Sequence, residues 1–347
     1  MALLFFDGFE GITAAQMSLR YAVVSGGIAN SIANPPAPNG YAWYSSGGAQ
    51  SGINITPNAN TVIAGFRYMP LNAAQSITTA ISMFNVQDDI GTVHVTAVLN
   101  LNGSISVYRG TSGGTLLGTT AESALLSPGV WSYFECKVLV DDSAGSVEIK
   151  INGTQKINLT SQDTRNGGNA NISRVRFGAH VGSTAYSFVD DFYVADTTGS
   201  APYNDYLGDV RVVQMLPDSA GDSTQWTPNA GNNWDRVDET PGHDGDATYV
   251  SDSTAGDTDL YNLSAPNTQA TVIRAVKVIS TARKADAGAQ NLEILVKSGS
   301  TTSTSGSNAL TDSYAEYSNT WLQNPDTTSD WTVADLTSLQ SGFRIPV

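Results

Sequence analysis

Hydrophobic and polar positions alternate most cleanly over residues 131–159. Phe134, Cys136, Val138 and Val140 fall on one side of a period-two pattern, with Tyr133, Glu135 and Lys137 on the other. Val147, Ile149 and Ile151 repeat it against Glu148, Lys150 and Asn152. Successive side chains of a strand point to opposite faces, so the pattern predicts a half-buried antiparallel ribbon. Residues 141–146 supply its turn, and Asn152-Gly153 is a strong hairpin signal, because both residues tolerate the positive φ of a type I′ turn. A ribbon of this kind is scaffold; it carries no nucleophile and no phosphate loop.

The same short-period pattern, punctuated by Gly, Asn, Asp and Pro, predicts further strands at 3–6, 61–69, 77–86, 91–99, 104–109, 172–180 and 188–195. Pro35, Pro36 and Pro38 make the region before residue 52 an irregular loop. Residues 196–206 interrupt the rhythm with linker-like composition and predict a domain boundary. Beyond it, strands are expected at 210–215, 271–280, 291–297 and 314–322, one helical turn within 331–339, and an edge-type strand at 342–347, since Pro346 cannot serve a central ladder. No internal repeat is evident.

Composition sharpens this picture. The 347 residues include 33 Gly and only 17 Lys plus Arg, which suits many short strands with uncharged polar surfaces. A formal net charge of −15 argues against nucleic acid and anionic membranes as partners. The charge is uneven: residues 1–199 hold 13 acidic and 9 basic residues, residues 200–347 hold 19 and 8, so the two parts differ in kind. Cys136 is the only cysteine, which forbids an internal disulfide, and its place on the apolar face predicts a small core residue. The opening residues lack a basic segment and are broken by Asp7, so no signal peptide is expected. No apolar run is long enough to span a membrane as a helix.

Four segments together resemble a concanavalin A-like or laminin G-like jelly roll over residues 1–198: Asp7-Gly8-Phe9-Glu10, the run from Trp131 to Val138, the run from Gly145 to Gly153, and Val189-Asp190-Asp191-Phe192-Tyr193-Val194. The following block, with Leu207-Gly208-Asp209-Val210, Trp226, Asn233-Trp234-Asp235-Arg236 and Asp246-Ala247-Thr248-Tyr249-Val250, is similar to a module that accompanies this jelly roll in bacteriophage virion proteins. The resemblance implies an all-β chain, a concanavalin A-like jelly-roll sandwich over 1–198 followed by a smaller, acidic β-sandwich over 207–347. It implies a non-enzymatic structural component of a phage particle, tail-associated or head-decorating, made in the host cytoplasm and located in the virion. Its partners would be other virion proteins and copies of itself. The alternative is a host-receptor or carbohydrate-binding adhesin, and a glycan hydrolase stands third.

The candidate chemistry is sparse. No Glu-x-Asp-x-Glu strand of the glucanase type is present, and Glu135 and Glu148 read as solvent-face partners of Lys137 and Lys150. His94, His180 and His243 lack a nucleophile elbow. In the jelly-roll superfamily some members hold a structural calcium between an N-terminal turn and an Asp opening the last strand. The resemblance therefore implies a calcium site from Asp7, Glu10 and Asp190, set against a plain turn role for these acids. The acidic stretch Asp235, Asp238, Glu239, Asp244, Asp246, Asp252, Asp257 and Asp259 fits no EF-hand and reads as a solvated loop face. Tyr41, Trp43 and Tyr44 are candidates for stacking on a host-surface glycan, and Trp226 and Trp234 have similar polar surroundings. Trp131, Trp321 and Trp331 are expected to be buried.

Overall fold

The computed structural model describes residues 3–24, 27–29, 41–46, 49–70, 80–180, 186–266 and 270–347. The chain is all-β and forms two compact units, Met1–Val212 and Val213–Val347.

The first unit is a jelly-roll sandwich whose strands, in chain order, are β1 (Leu3–Asp7), β2 (Gly27–Ala29), β3 (Ala42–Ser46), β4 (Ser51–Ala59), β5 (Thr61–Pro70), β6 (Ile81–Gln87), β7 (Val93–Leu99), β8 (Ile105–Arg109), β9 (Thr115–Thr119), β10 (Ser132–Leu139), β11 (Gly145–Ile151), β12 (Thr154–Gln162), β13 (Ile172–His180) and β14 (Tyr186–Asp196). One sheet has the order β12-β11-β10-β5-β14-β3-β2, with β1 also on β14; the other has the order β4-β13-β6-β7-β8-β9. The predicted ribbon forms with Cys136 opposite Ile149 and Val138 opposite Val147. Asn152 and Gly153 take φ of 49° and 73°, as the turn into β12 requires. Phe66 and Phe134, paired on one sheet, approach to 5.0 Å, and Phe177 meets Phe192 of the facing sheet at 4.8 Å, within a core that also holds Cys136. Each such ring contributes about 1.5–3 kcal/mol by leaving water.

The ribbon differs from expectation on its other face, which is buried at its Tyr133–Glu135 end and half-buried at Lys137, Glu148 and Lys150. Tyr133 and Glu135 are each only 1% exposed. The residues after β14 do not act as a linker but return across this face. Tyr203 and Leu207 are buried, Tyr206 Oη donates to the Glu148 carbonyl at 3.2 Å, and Lys150 lies 3.8 Å from the Tyr206 ring centre. The unit therefore ends at Val212 rather than at 198. Residues 210–215 form no strand, and the Val212 N–H donates to Asp191 Oδ1 instead of to a ladder.

The second unit has a five-stranded sheet of Pro217–Thr224, Thr258–Leu263, Gln340–Arg344, Asn291–Ser298 and Thr301–Ala309, in that order. The ribbon Val276–Ala282 with Ala315–Trp321 and the short helix Val333–Leu336 cover one face, giving a core of Ile294, Val296, Trp321, Trp331, Leu336 and Leu339. The last strand is central, not an edge. Pro346 does not forbid this, because it lies beyond the strand's end at Arg344. The two edge strands escaped the sequence reading: Pro217–Thr224 and Thr301–Ala309 are polar throughout, with no apolar alternation to mark them.

Candidate functional site

In the six-stranded sheet Val95, Ala97 and Leu99 of β7 face the core, so Thr96 and Val98 face outward. Register extends this outer face into one row across the sheet: Gly52 opposite Arg176, Arg176 opposite Asn85, Asn85 opposite Thr96, Thr96 opposite Tyr108, and Tyr108 opposite Leu116. Arg174 stands beside the row, opposite Asn54 and Gln87. Exposure grows along the face: Asn85, Gln87 and Thr96 are buried, whereas Arg176 and Tyr108 are half-buried and Leu116 at the end is exposed. Gly52 makes room for β13, since a Cβ there would lie 2.4 Å from the Val175 carbonyl oxygen and 2.8 Å from Arg176 Cγ.

The hydrogen bonds leave capacity on this face. Gln87 Nε2 donates to Asn85 Oδ1 at 3.0 Å, Arg174 Nε to Asn54 Oδ1 at 2.9 Å, and an Arg176 terminal nitrogen to Gln50 Oε1 at 3.1 Å. Gln87 Oε1 and Arg176 Nε are buried with no partner in the structure. Burial pulls the Arg176 guanidinium below its usual range, and the neighbouring Arg174 adds to this. Thr96 Oγ1 already donates to the Gly110 carbonyl at 2.6 Å, so the remaining capacity lies with the amides, the guanidinium groups and the phenol, a set that can bind a polar, extended ligand.

The acids of the first and last strands form a second cluster. β14 pairs with β3 at Phe188 and Val189 and with β1 from Phe192 onward, so Asp190 and Asp191 lie where it changes neighbour. Its register against β5 slips there, and Asp191 takes a φ of 51°, a bulge that puts both carboxylates on the Arg67 face of the sheet, beneath the returning segment. Asp191 Oδ2 accepts from Arg67 Nε at 3.0 Å and from Arg211 at 3.3 Å, and its Oδ1 accepts from the Val212 amide at 2.8 Å. Asp190 Oδ1 accepts the Asp191 N–H at 2.7 Å, while its Oδ2 and Glu10 Oε1 are buried without partners. Burial drives the Glu10 and Asp190 carboxyls well up, and the charges of nearby acids push the same way. Burial also raises Asp191, to about 7, against the pull of the Val212 amide and Arg67.

The calcium site expected from Asp7, Glu10 and Asp190 is only partly matched. The orphaned oxygens of Glu10 and Asp190 fit a cation or a proton. Asp7 does not fit, because Tyr21 Oη at 2.6 Å and Arg20 at 2.7 Å already occupy its two oxygens. Among the described residues no three Asp, Glu, His or Cys side chains are grouped to hold a metal ion.

Other sequence candidates are placed differently from expectation. Trp43 is fully buried, edge-on to Phe177 at 5.1 Å, and offers no face to a sugar. Gly178, at φ +70°, accommodates it, since a Cβ there would lie 2.1 Å from the indole. Tyr41 and Tyr44 are half-buried, Tyr44 beside Phe188, and Trp131, expected to be buried, is half-buried as well. Trp226 and Trp234 pack against the core of Tyr261, Leu292 and Phe343, with Trp226 4.5 Å from Phe343. Glu135 is not a solvent-face partner of lysine; it accepts from Tyr193 Oη at 2.7 Å and from the Gly208 amide at 2.9 Å. His94 is buried on β7, accepting the Asn166 amide at 3.1 Å, and His180 belongs to β13, with β6 between those strands. Asp259, expected in a solvated acidic face, is buried and accepts from Tyr261 Oη at 2.7 Å and the Trp226 amide at 3.1 Å.

The residues of the outer row were not singled out in the sequence. Arg174-x-Arg176 inside a strand of an acidic chain is a visible signal, but its association with Asn85, Thr96 and Tyr108 depends on pairing with strands tens of residues away.

No protein-family model and no curated protein matches this sequence. Among solved structures, the chain is similar to the alginate lyase Aly36B, at 9% identity with a TM-score of 0.37, covering 54% of this chain and 92% of that one. The carbohydrate-binding module CBM66 from Bacillus subtilis matches at 9% identity and a TM-score of 0.34, over 51% of this chain and 95% of its own. The binding domain of Paraclostridial Mosquitocidal Protein 1 matches at 12% identity and a TM-score of 0.38, over 56% of this chain and 48% of its own.

Proposed function

We propose that the first unit is a carbohydrate-binding module whose ligand lies along the outer face of the six-stranded sheet, with no part in catalysis. The observation that carries this reading is the cross-strand row from Arg176 through Asn85 and Thr96 to Tyr108, buried in the middle and half-buried at both ends. Sugars are recognised by such sets, in which planar hydrogen-bonding side chains fix hydroxyl groups and an aromatic ring stacks on an apolar sugar face. Glu135, the nearest candidate for an acid catalyst, is committed to Tyr193 and Gly208. A glycan array followed by calorimetry tests the reading. Tyr108→Ala should weaken binding about three- to tenfold, the worth of one stacked ring, while Tyr44→Ala, on the other sheet, should leave it unchanged. A flat array, or loss of binding in Tyr44→Ala alone, would overturn this location.

The particle assignment is a second reading, supported by the paired-module resemblance in the sequence. The second unit's polar edge strands, Pro217–Thr224 and Thr301–Ala309, suit it, because uncapped ladder groups are available for another virion subunit or another copy of the chain. Mass spectrometry of purified phage particles is the direct check. Recovery of the chain solely from soluble lysate would remove it.

A further inference from the structure

Every lysine of the first unit, and every arginine but two, is paired with a carboxylate. Arg20 pairs with Asp7, Arg67 and Arg211 with Asp191 and Asp209, Arg109 with Asp163, and Arg165 with Asp142. Lys137 pairs with Asp205, Lys150 with Glu148, and Lys156 with Glu122. Arg174 and Arg176 have no acidic partner among the described residues, and the segments of this unit outside that set contain no Asp or Glu. Over the whole chain 32 Asp plus Glu stand against 17 Lys plus Arg, so carboxylates outnumber cations nearly two to one.

The two arginines lie on one strand two residues apart, which puts them on the same face, the outer face of the six-stranded sheet. Their neighbours across the strands are neutral: Asn54 and Gln87 flank Arg174, and Gly52 and Asn85 flank Arg176. Each guanidinium spends one donor on an amide oxygen, which orients the fork without neutralising it, and the buried Arg176 Nε has no partner. Two like charges this close repel each other, and Arg176 is partly withdrawn from water. Such an arrangement is relieved by an anion that accepts from both forks.

Resting on the carbohydrate-binding reading, we propose that the glycan is acidic, a sugar bearing a carboxylate that Arg174 and Arg176 bind together. The guanidinium fork matches the two oxygens of a carboxylate, and the neutral row toward Tyr108 takes the hydroxyl groups and the next ring. A carboxylated sugar can come from a polyuronate or from a terminal sialic acid, and both present the same group.

The test is calorimetric titration of the full-length chain with three probes: a uronate oligosaccharide, a sialylated oligosaccharide and a neutral oligosaccharide of equal length. Binding of one or both acidic probes at least about tenfold tighter than the neutral one is expected, with affinity falling as salt is raised. The better acidic probe identifies the source of the carboxylate. Arg174→Gln and Arg176→Gln should each cost about tenfold or more for the acidic probe, and Arg176→Lys should restore only part, because it returns the charge without the fork. Melting curves establish that the variants are folded, and Arg174→Gln, the more peripheral, serves if Arg176→Gln is not. Equal affinity for neutral and acidic probes, weakened by Tyr108→Ala, would overturn the acidic preference and keep the sugar face. No binding of any probe would overturn both.

Discussion

At the scale of single residues, the first unit's interior is set by where its acids find partners. Asp7 and Asp191 are buried and answered by arginines, whereas Glu10 and Asp190 each keep a buried oxygen unanswered. The folded state therefore favours their protonated forms. A carboxyl whose folded pKa lies above its unfolded value binds its proton more tightly in the native state, so its contribution to stability is full in acid and is lost as pH rises through the raised value. Asp191 beside them is raised to about 7, so melting temperature should be higher at pH 6 than at pH 8. Asp190→Asn removes the charge while its Oδ1 still accepts the Asp191 amide. It should raise stability at pH 8 by about 1–2 kcal/mol, or roughly 2–8 °C for a domain of this size, and flatten the pH dependence. Thermal melts at both pH values check this. A melting temperature that climbs with added calcium in the wild type but not in Asp190→Asn would instead mean that a cation takes the place of the proton.

At the scale of elements, the sequence made legible what period-two burial controls. The ribbon at 131–159 and strands β5, β13 and β14 lie close to their expected positions because one face of each meets the core. Polar edge strands were invisible for the opposite reason, having no buried face to impose alternation. The outer row of the six-stranded sheet was hidden differently: each residue is ordinary alone, and only register unites Arg176 with Tyr108. Trp43 shows the limit for aromatics, since a tryptophan after a proline-rich loop looks the same in sequence whether it faces sugar or core. Its burial depends on Gly178 of the opposite sheet, so β3 and β13 are coupled through the indole, which meets both Gly178 and Phe177. Trp43→Ala should cost about 3–5 kcal/mol as a cavity, and Gly178→Ala should also destabilise by clash and by its φ of +70°. Combined, the two should cost clearly less than their sum, since removing the indole vacates the space that the new methyl needs. Chemical denaturation of the two single variants and the double variant measures this coupling, and strict additivity would show that the glycine is demanded by backbone conformation alone.

At the scale of the whole chain, the expected linker turned out to belong to the first unit, and this changes where that unit can be cut. Composition alone suggested a boundary, because residues 197–205 are small and polar. Their role follows from contacts that composition does not record. Beyond Tyr203, the segment brings the Leu207 amide to Tyr193 Oη at 3.1 Å, the Gly208 amide to Glu135 and the Val212 amide to Asp191. Two of these are backbone donors to buried carboxylates, worth about 1.5–3 kcal/mol each, and burial of Leu207 adds ~1.5–3 kcal/mol. A fragment ending at residue 212 should therefore fold as a stable sandwich. One ending at 198 leaves the Glu135 and Asp191 carboxylates without these donors and uncovers Tyr133, so it should melt many degrees lower. Glu135→Gln in the longer fragment should lie between the two, because it keeps an acceptor for Gly208 but weakens the bond by removing its charge. Circular dichroism melts of the three proteins decide the matter: coincident curves for the fragments ending at 198 and 212 would return the segment to the role of a passive connector.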